Sequence, residues 1–173
     1  MTRMESVGHS SWNGIVQNVS NKLLHNLPAG ELCIHLVQKE SVRFHYSIGF
    51  SYTPEKLTCE AVCWPWSDEY QRWKAGSSFV PHIATAVFDL TEAERAYFPE
   101  FFDRLLKEQE GQMLEPIAGW LLDGADYLLR MYRNGELVRT FKWDDHKQTR
   151  GFLKQLMVLT DRAAGIVDKK ITP

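Results

Sequence analysis

Residues 126–143 read Asp-Tyr-Leu-Leu-Arg-Met-Tyr-Arg-Asn-Gly-Glu-Leu-Val-Arg-Thr-Phe-Lys-Trp. Two runs of β-forming residues flank Asn134-Gly135, a pair that tolerates the positive φ angles a tight hairpin demands. A β-hairpin is therefore expected here. An isolated hairpin is barely stable in water, so its rings need a larger sheet and other elements to cover them.

The register follows from charge and face. A loop of Asn134-Gly135 alone would pair Arg133 with Glu136 and set Arg130 against Arg139, an unfavourable like-charge pair. It would also put Tyr127, Leu129 and Met131 on the opposite face from Leu137, Phe141 and Trp143. A three-residue loop, Arg133-Asn134-Gly135 with Gly135 left-handed, removes both conflicts. Met131 then faces Leu137, and Tyr127 faces Phe141. The bulged turn is expected, unless both faces of the sheet are covered.

A second pair of strands is read at Glu31 to Gln38 and Val42 to Tyr52. Leu32, Ile34 and Leu36 alternate with Cys33, His35 and Val37, and Phe44, Tyr46, Ile48 and Phe50 alternate with Arg43, His45 and Ser47. A turn over Lys39-Glu40-Ser41 pairs residue 36 with 44 and residue 34 with 46, which gathers the apolar sets on one face. A third strand, Leu57 to Cys63, follows. Ile83 to Phe88 reads as a fourth.

Helices punctuate these strands. Trp12 to Leu27 is amphipathic, with Ser10 or Ser11 as its cap. Ser67 opens a short helix through Lys74. Thr91-Glu92-Ala93-Glu94 is a capping box; Pro99 either kinks the helix that follows or starts another, and Gly111 is its stop. A last helix spans His146 or Gln148 to Ala164, with Gly165 as C′ and Asp144-Asp145-His146 at its positive end. The elements do not alternate as in a parallel βαβ chain. The fold class is thus α+β: one domain over residues 1–173, with an antiparallel sheet of about five to six strands packed by N-terminal and C-terminal helices.

Twenty Lys and Arg against 22 Asp and Glu leave no basic excess, so neither nucleic acid nor a membrane surface is an expected partner. No run is long and apolar enough to span a bilayer, and the N-terminal residues lack the apolar core of a signal peptide. Cys33, Cys59 and Cys63 are odd in number and too few for a disulfide scaffold. A cytoplasmic protein with reduced thiols is expected.

Two constellations could carry function. In the register above, His35 lies opposite His45 with Cys33 two residues along the same face. These are metal-ligand and acid–base side chains, although no Cys-x-x-Cys spacing accompanies them. Cys59 and Cys63 read as core thiols. The second constellation is Trp64, Trp66, Tyr70 and Trp73, dense in the residues that dominate binding hot spots and equally able to fill a core. Phosphate-binding glycine loops, the Gly-x-Ser-x-Gly elbow and His-Glu-x-x-His are all missing. The expectation is a non-enzymatic domain without cofactor that binds a protein partner through Trp64, Trp66, Tyr70 and Trp73, as an inhibitor or immunity-type protein does. The alternatives are a small metal-dependent or acid–base enzyme built on His35, His45 and Cys33, and a module enclosing a small apolar ligand.

Overall fold

A computed structural model describes residues 11–25, 27–40, 44–75, 79–117 and 124–171. In chain order the elements are α1 (Trp12–His25), β1 (Leu32–Glu40), β2 (His45–Tyr52), β3 (Leu57–Trp64), α2 (Trp66–Ala75) and β4 (Ala84–Asp89). They continue with α3 (Glu92–Lys107), α4 (Glu110–Met113), β5 (Leu114–Pro116), β6 (Ala125–Arg133), β7 (Glu136–Asp144), β8 (Lys147–Thr149) and α5 (Gly151–Asp168). The main sheet is antiparallel, in the order β4-β3-β2-β1-β6-β7, and β5 pairs with β8 in a small ribbon. The fold is α+β, as the sequence predicts.

Helices cover both faces. Ile34, Leu36, Ile48, Phe50, Leu129 and Met131 face α3 and α5, where Phe98, Phe102, Leu105, Leu153 and Leu156 complete the larger core. On the other face Val62 and Trp64 meet Val19 and Leu23 of α1. Ser11 caps α1 by accepting a hydrogen bond from Gly14 N (3.3 Å), and the helix ends at His25, short of the exposed Leu27.

The first hairpin keeps its expected faces but not its register. Leu36 pairs with Ile48 and Ile34 with Phe50, four residues away from the predicted partners. Alternation fixes parity, and an even slip leaves every side chain on its own face. β1 runs on through Glu40, whose N–H donates to Phe44 O (3.1 Å), and residues 38–40 also pair with β6. The longer strand satisfies more backbone groups than a turn at Lys39 would. The expected turn residue Ser41 lies outside the described residues.

The second hairpin resolves its parity conflict differently from the prediction. The loop is Asn134-Gly135 alone, with φ of 49° and 81°, and Arg133 pairs with Glu136. The register then shifts between Met131 and Tyr132: Tyr132 faces Leu137, Met131 faces Arg139, and Val138 is the extra residue. The bulge sits in β7 rather than in the turn. Beyond it Leu129 faces Phe141 and Tyr127 faces Trp143, with the last two rings stacked at 4.9 Å. Arg130 meets Thr140, so the like-charge pair is still avoided.

The bulge has a second effect. It turns Arg139 onto the α3 face, where its guanidinium donates to the carbonyls of Leu105 (2.5 Å), Leu106 (2.9 Å) and Glu108 (2.7 Å). Arg139 thus satisfies the orphan carbonyls at the end of α3, at the negative pole of the helix. α3 itself opens on the expected Thr91–Glu94 capping box and continues through Pro99. It stops at Lys107, and Gly111 lies in α4.

The last helix starts later and ends later than the sequence suggests. Asp144 and Asp145 do not cap it: β8 intervenes, Asp145 accepts from Ala125 N (2.6 Å), and Asp144 accepts from His146 N (3.0 Å). The acid at the start of α5 is Glu108, both of whose carboxylate oxygens lie 3.1 Å from Phe152 N. Gly151 (φ 55°) lets that carboxylate in, since a Cβ there would lie 1.9 Å from Glu108 Oε1. α5 passes through Gly165 to Asp168, which accepts the Tyr46 hydroxyl (2.9 Å).

Arg139→Lys should lower unfolding free energy by about 1–3 kcal/mol, because one ammonium cannot serve three carbonyls in fork geometry. Urea unfolding followed by circular dichroism measures this; an unchanged midpoint would show that the end of α3 needs no outside donor.

Candidate functional site

The predicted His/His/Cys constellation does not assemble. His35 pairs with Gly49 across β2, while His45 pairs with Lys39, four residues along β1 from His35. That offset is roughly 13 Å at 3.3 Å per residue, too far for a shared metal or proton. Among the described residues no group of three or more His, Cys, Asp and Glu is placed to hold a metal ion.

Burial also quiets these groups. Cys33, His35 and Ser47 lie on the sheet face toward α1 and are fully buried. His35 Nε2 lies 2.7 Å from Ser47 Oγ, and its Nδ1 has no partner among the described residues. Burial lowers its pKa to about 3, with Arg130 pushing the same way. Burial lowers the His45 pKa to about 4, with Lys39 adding to the effect and the Glu40 backbone opposing it. Burial raises the Cys33 thiol to about 11 against a hydrogen bond with Ser51, and raises Cys59 to about 12. Burial, with Asp168 nearby, raises Cys63 as well. None of the three thiols is a thiolate nucleophile at neutral pH.

The ring constellation does assemble, and it divides. Trp64 is fully buried at the end of β3, with its ring 5.8 Å from Trp12 and edge-on to His45 at 5.5 Å. It is core. Trp66, Tyr70 and Trp73 of α2 are half-buried. Tyr70 and Trp73 stack at 6.0 Å, and both rest on Trp12, at 5.2 and 5.7 Å. Phe79 closes the group, 6.0 Å from Trp12. Trp12 is the hub. Helical spacing marks it only as one apolar position of α1, and no local signal ties it to residues fifty positions away.

One buried carboxylate holds α2 in place. Glu69, 2% exposed, accepts from Arg72 and from His82 N (2.8 Å). Trp66 is pinned separately, its indole N–H donating to Glu40 O (3.1 Å).

Beside Trp66 the sheet ends in a cleft of about 450 Å³ that local sequence reading does not reveal. One cross-strand row forms its wall: Asp144 opposes Asp126, Asp126 opposes Lys39, and Lys39 opposes His45. Glu40, Asp145 and His146 complete the polar lining. Lys39, Asp126 and Asp144 also line an adjoining groove of about 560 Å³ that reaches Leu24 of α1. The correct registers of both hairpins are needed to see the row.

The chain matches no protein-family model, and comparison with curated proteins and with solved structures finds no match.

The two buried imidazoles set a pH dependence. Unfolded, each titrates near 6.5; folded, near 3 and 4. Between those values the unfolded chain binds more protons, so stability is full above about pH 6.5 and falls as pH drops toward 4. Each histidine contributes at most about 1.4 kcal/mol per pH unit to that slope. Urea midpoints from pH 7 to 4.5 should fall, and less steeply for His35→Asn; equal slopes would contradict the neutral buried imidazole.

Proposed function

We propose that this protein works by binding rather than by catalysis. It recognises a protein partner through the face carrying Trp66, Tyr70 and Trp73, in the manner of an inhibitor or immunity-type protein. One contrast carries the reading: the rings stand half-open on an anchored helix, while the thiols and both sheet imidazoles are sealed and uncharged. Half-buried Trp and Tyr held by neighbours give large contact area at low entropic cost, the character of a hot spot. The near-neutral charge suits a protein surface better than a polyanion. Three free, buried cysteines fit a reducing compartment such as the cytoplasm. The rival enzyme on His35, His45 and Cys33 loses its geometry with the observed register.

Trp66→Ala with Trp73→Ala should weaken partner capture from native lysate at least tenfold while the chain still melts cooperatively. Trp66 packs against the second core and Trp73 against Trp12, so Lys74→Glu, a charge reversal at an exposed position of the same helix, provides a second variant. Capture that survives all three substitutions sinks the reading.

A further inference from the structure

The outer face of α5 carries charges that nothing else in the described chain answers. Leu153, Leu156, Thr160, Ala163 and Val167 turn inward and are buried. The exposed stripe opposite them runs through Lys154, Val158, Asp161 and Gly165, at helical spacing. Arg150 and Arg162, beside it, are paired with Glu115 (3.1 Å) and Glu94 (2.8 Å). Lys154 and Asp161 have no ion pair and no side-chain hydrogen bond among the described residues. Between them Val158 is 62% exposed. It also borders an apolar cleft of about 260 Å³ shared with Tyr97 and Phe101 of α3.

Two helical turns separate Lys154 from Asp161, about 10 Å along the axis. An antiparallel copy of the same helix, related by a two-fold axis midway between them, sets Lys154 of each chain level with Asp161 of the other. Both ion pairs then fall on one side of the seam. A parallel two-fold pair would instead set Lys154 against Lys154 and Asp161 against Asp161. The stripe is its own electrostatic complement in one orientation, and that identifies the occupant as a second copy. Val158 meets Val158 near the axis. Arg162, on the other side of the seam, stays held by Glu94. Gly165 fits the same arrangement. A Cβ there would meet nothing within 4 Å, so no contact inside the chain calls for a glycine, which weakens a helix interior. In the pair it stands level with Gly151 of the second copy, where two missing side chains let the backbones approach.

We propose that this face is an interface between two copies of the chain: α5 packs antiparallel on α5, with two Lys154–Asp161 ion pairs around a Val158 contact. One helix pair is a small surface, so the dimer is a weak, exchanging one. Pairing is independent of the partner-binding reading. α5 packs on the opposite face of the sheet from α1, so the dimer leaves the α2 rings free and presents two sets of them.

Sedimentation velocity of the whole chain in low salt, at concentrations up to about 1 mM, tests this. The parent should sediment progressively faster with concentration, toward the dimer. Lys154→Glu and Asp161→Lys should each weaken association at least tenfold, since each substitution acts twice in a two-fold pair. The chain carrying both, with the charges exchanged, should recover to within about threefold of the parent. Gly165→Leu should weaken association at least tenfold through bulk alone. Lys154, Asp161 and Gly165 are all exposed, so thermal melts of these variants should stay cooperative. A parent that remains monomeric throughout overturns the proposal. So does association that the single reversals or Gly165→Leu leave unchanged, or that the charge exchange fails to restore. Dimers lost in Trp66→Ala with Trp73→Ala but kept in the α5 variants overturn it as well, in favour of the ring face as the contact.

Discussion

The central strands β1 and β2 are buried on both faces, and the remaining structure answers to that constraint. Residues 33–37 and 45–50 are all buried. Alternation in such strands no longer sorts apolar from solvent-facing residues, only one covering layer from another. Every polar side chain on the α1 side must then find a partner or lose its charge. His35 finds Ser47, Arg130 reaches back to Leu24 O of α1, and both imidazoles are held neutral. The same two-sided burial that makes the sheet stable removes its chemically attractive residues from chemistry.

Much of the fold was legible because parity survives errors of register. The facing sets of both hairpins, the Thr91 capping box and the amphipathic helices at either end all follow from local pattern. What failed were distances along the chain. The slip of four in the first hairpin changes no face, so hydrophobicity could not report it; pairing with β6, ninety residues on, determines where β1 ends. In the second hairpin the need for one extra residue was readable, but its place was not. Val138 takes it because the bulge aims Arg139 at carbonyls some thirty residues upstream. Likewise Asp144-Asp145 looks like a cap, and only the fold reveals that Glu108 holds that position.

The candidate site divides along the same line. A dense ring segment at 64–73 is visible in the sequence, yet only position in the layers separates Trp64, which is core, from Trp66, Tyr70 and Trp73 at the surface. The acidic cleft was invisible. Asp126, Asp144, Lys39 and His45 come from four strands and share a row only when both registers are right. Trp66 joins the two features, since it begins α2 and is tied to the end of β1 through Glu40.

The strand order also bears on how the chain leaves the ribosome. β1 to β4 form a meander that can assemble as they are made, but the second neighbour of β1 is β6, which emerges some ninety residues later. Until then a row of unpaired amides from one of the most apolar strands in the protein lies open at the flank of a half-built sheet. The nascent meander is therefore most vulnerable to wrong pairing at the strand that becomes its most protected, and the Asn134-Gly135 turn closes that window by bringing in the last two strands together.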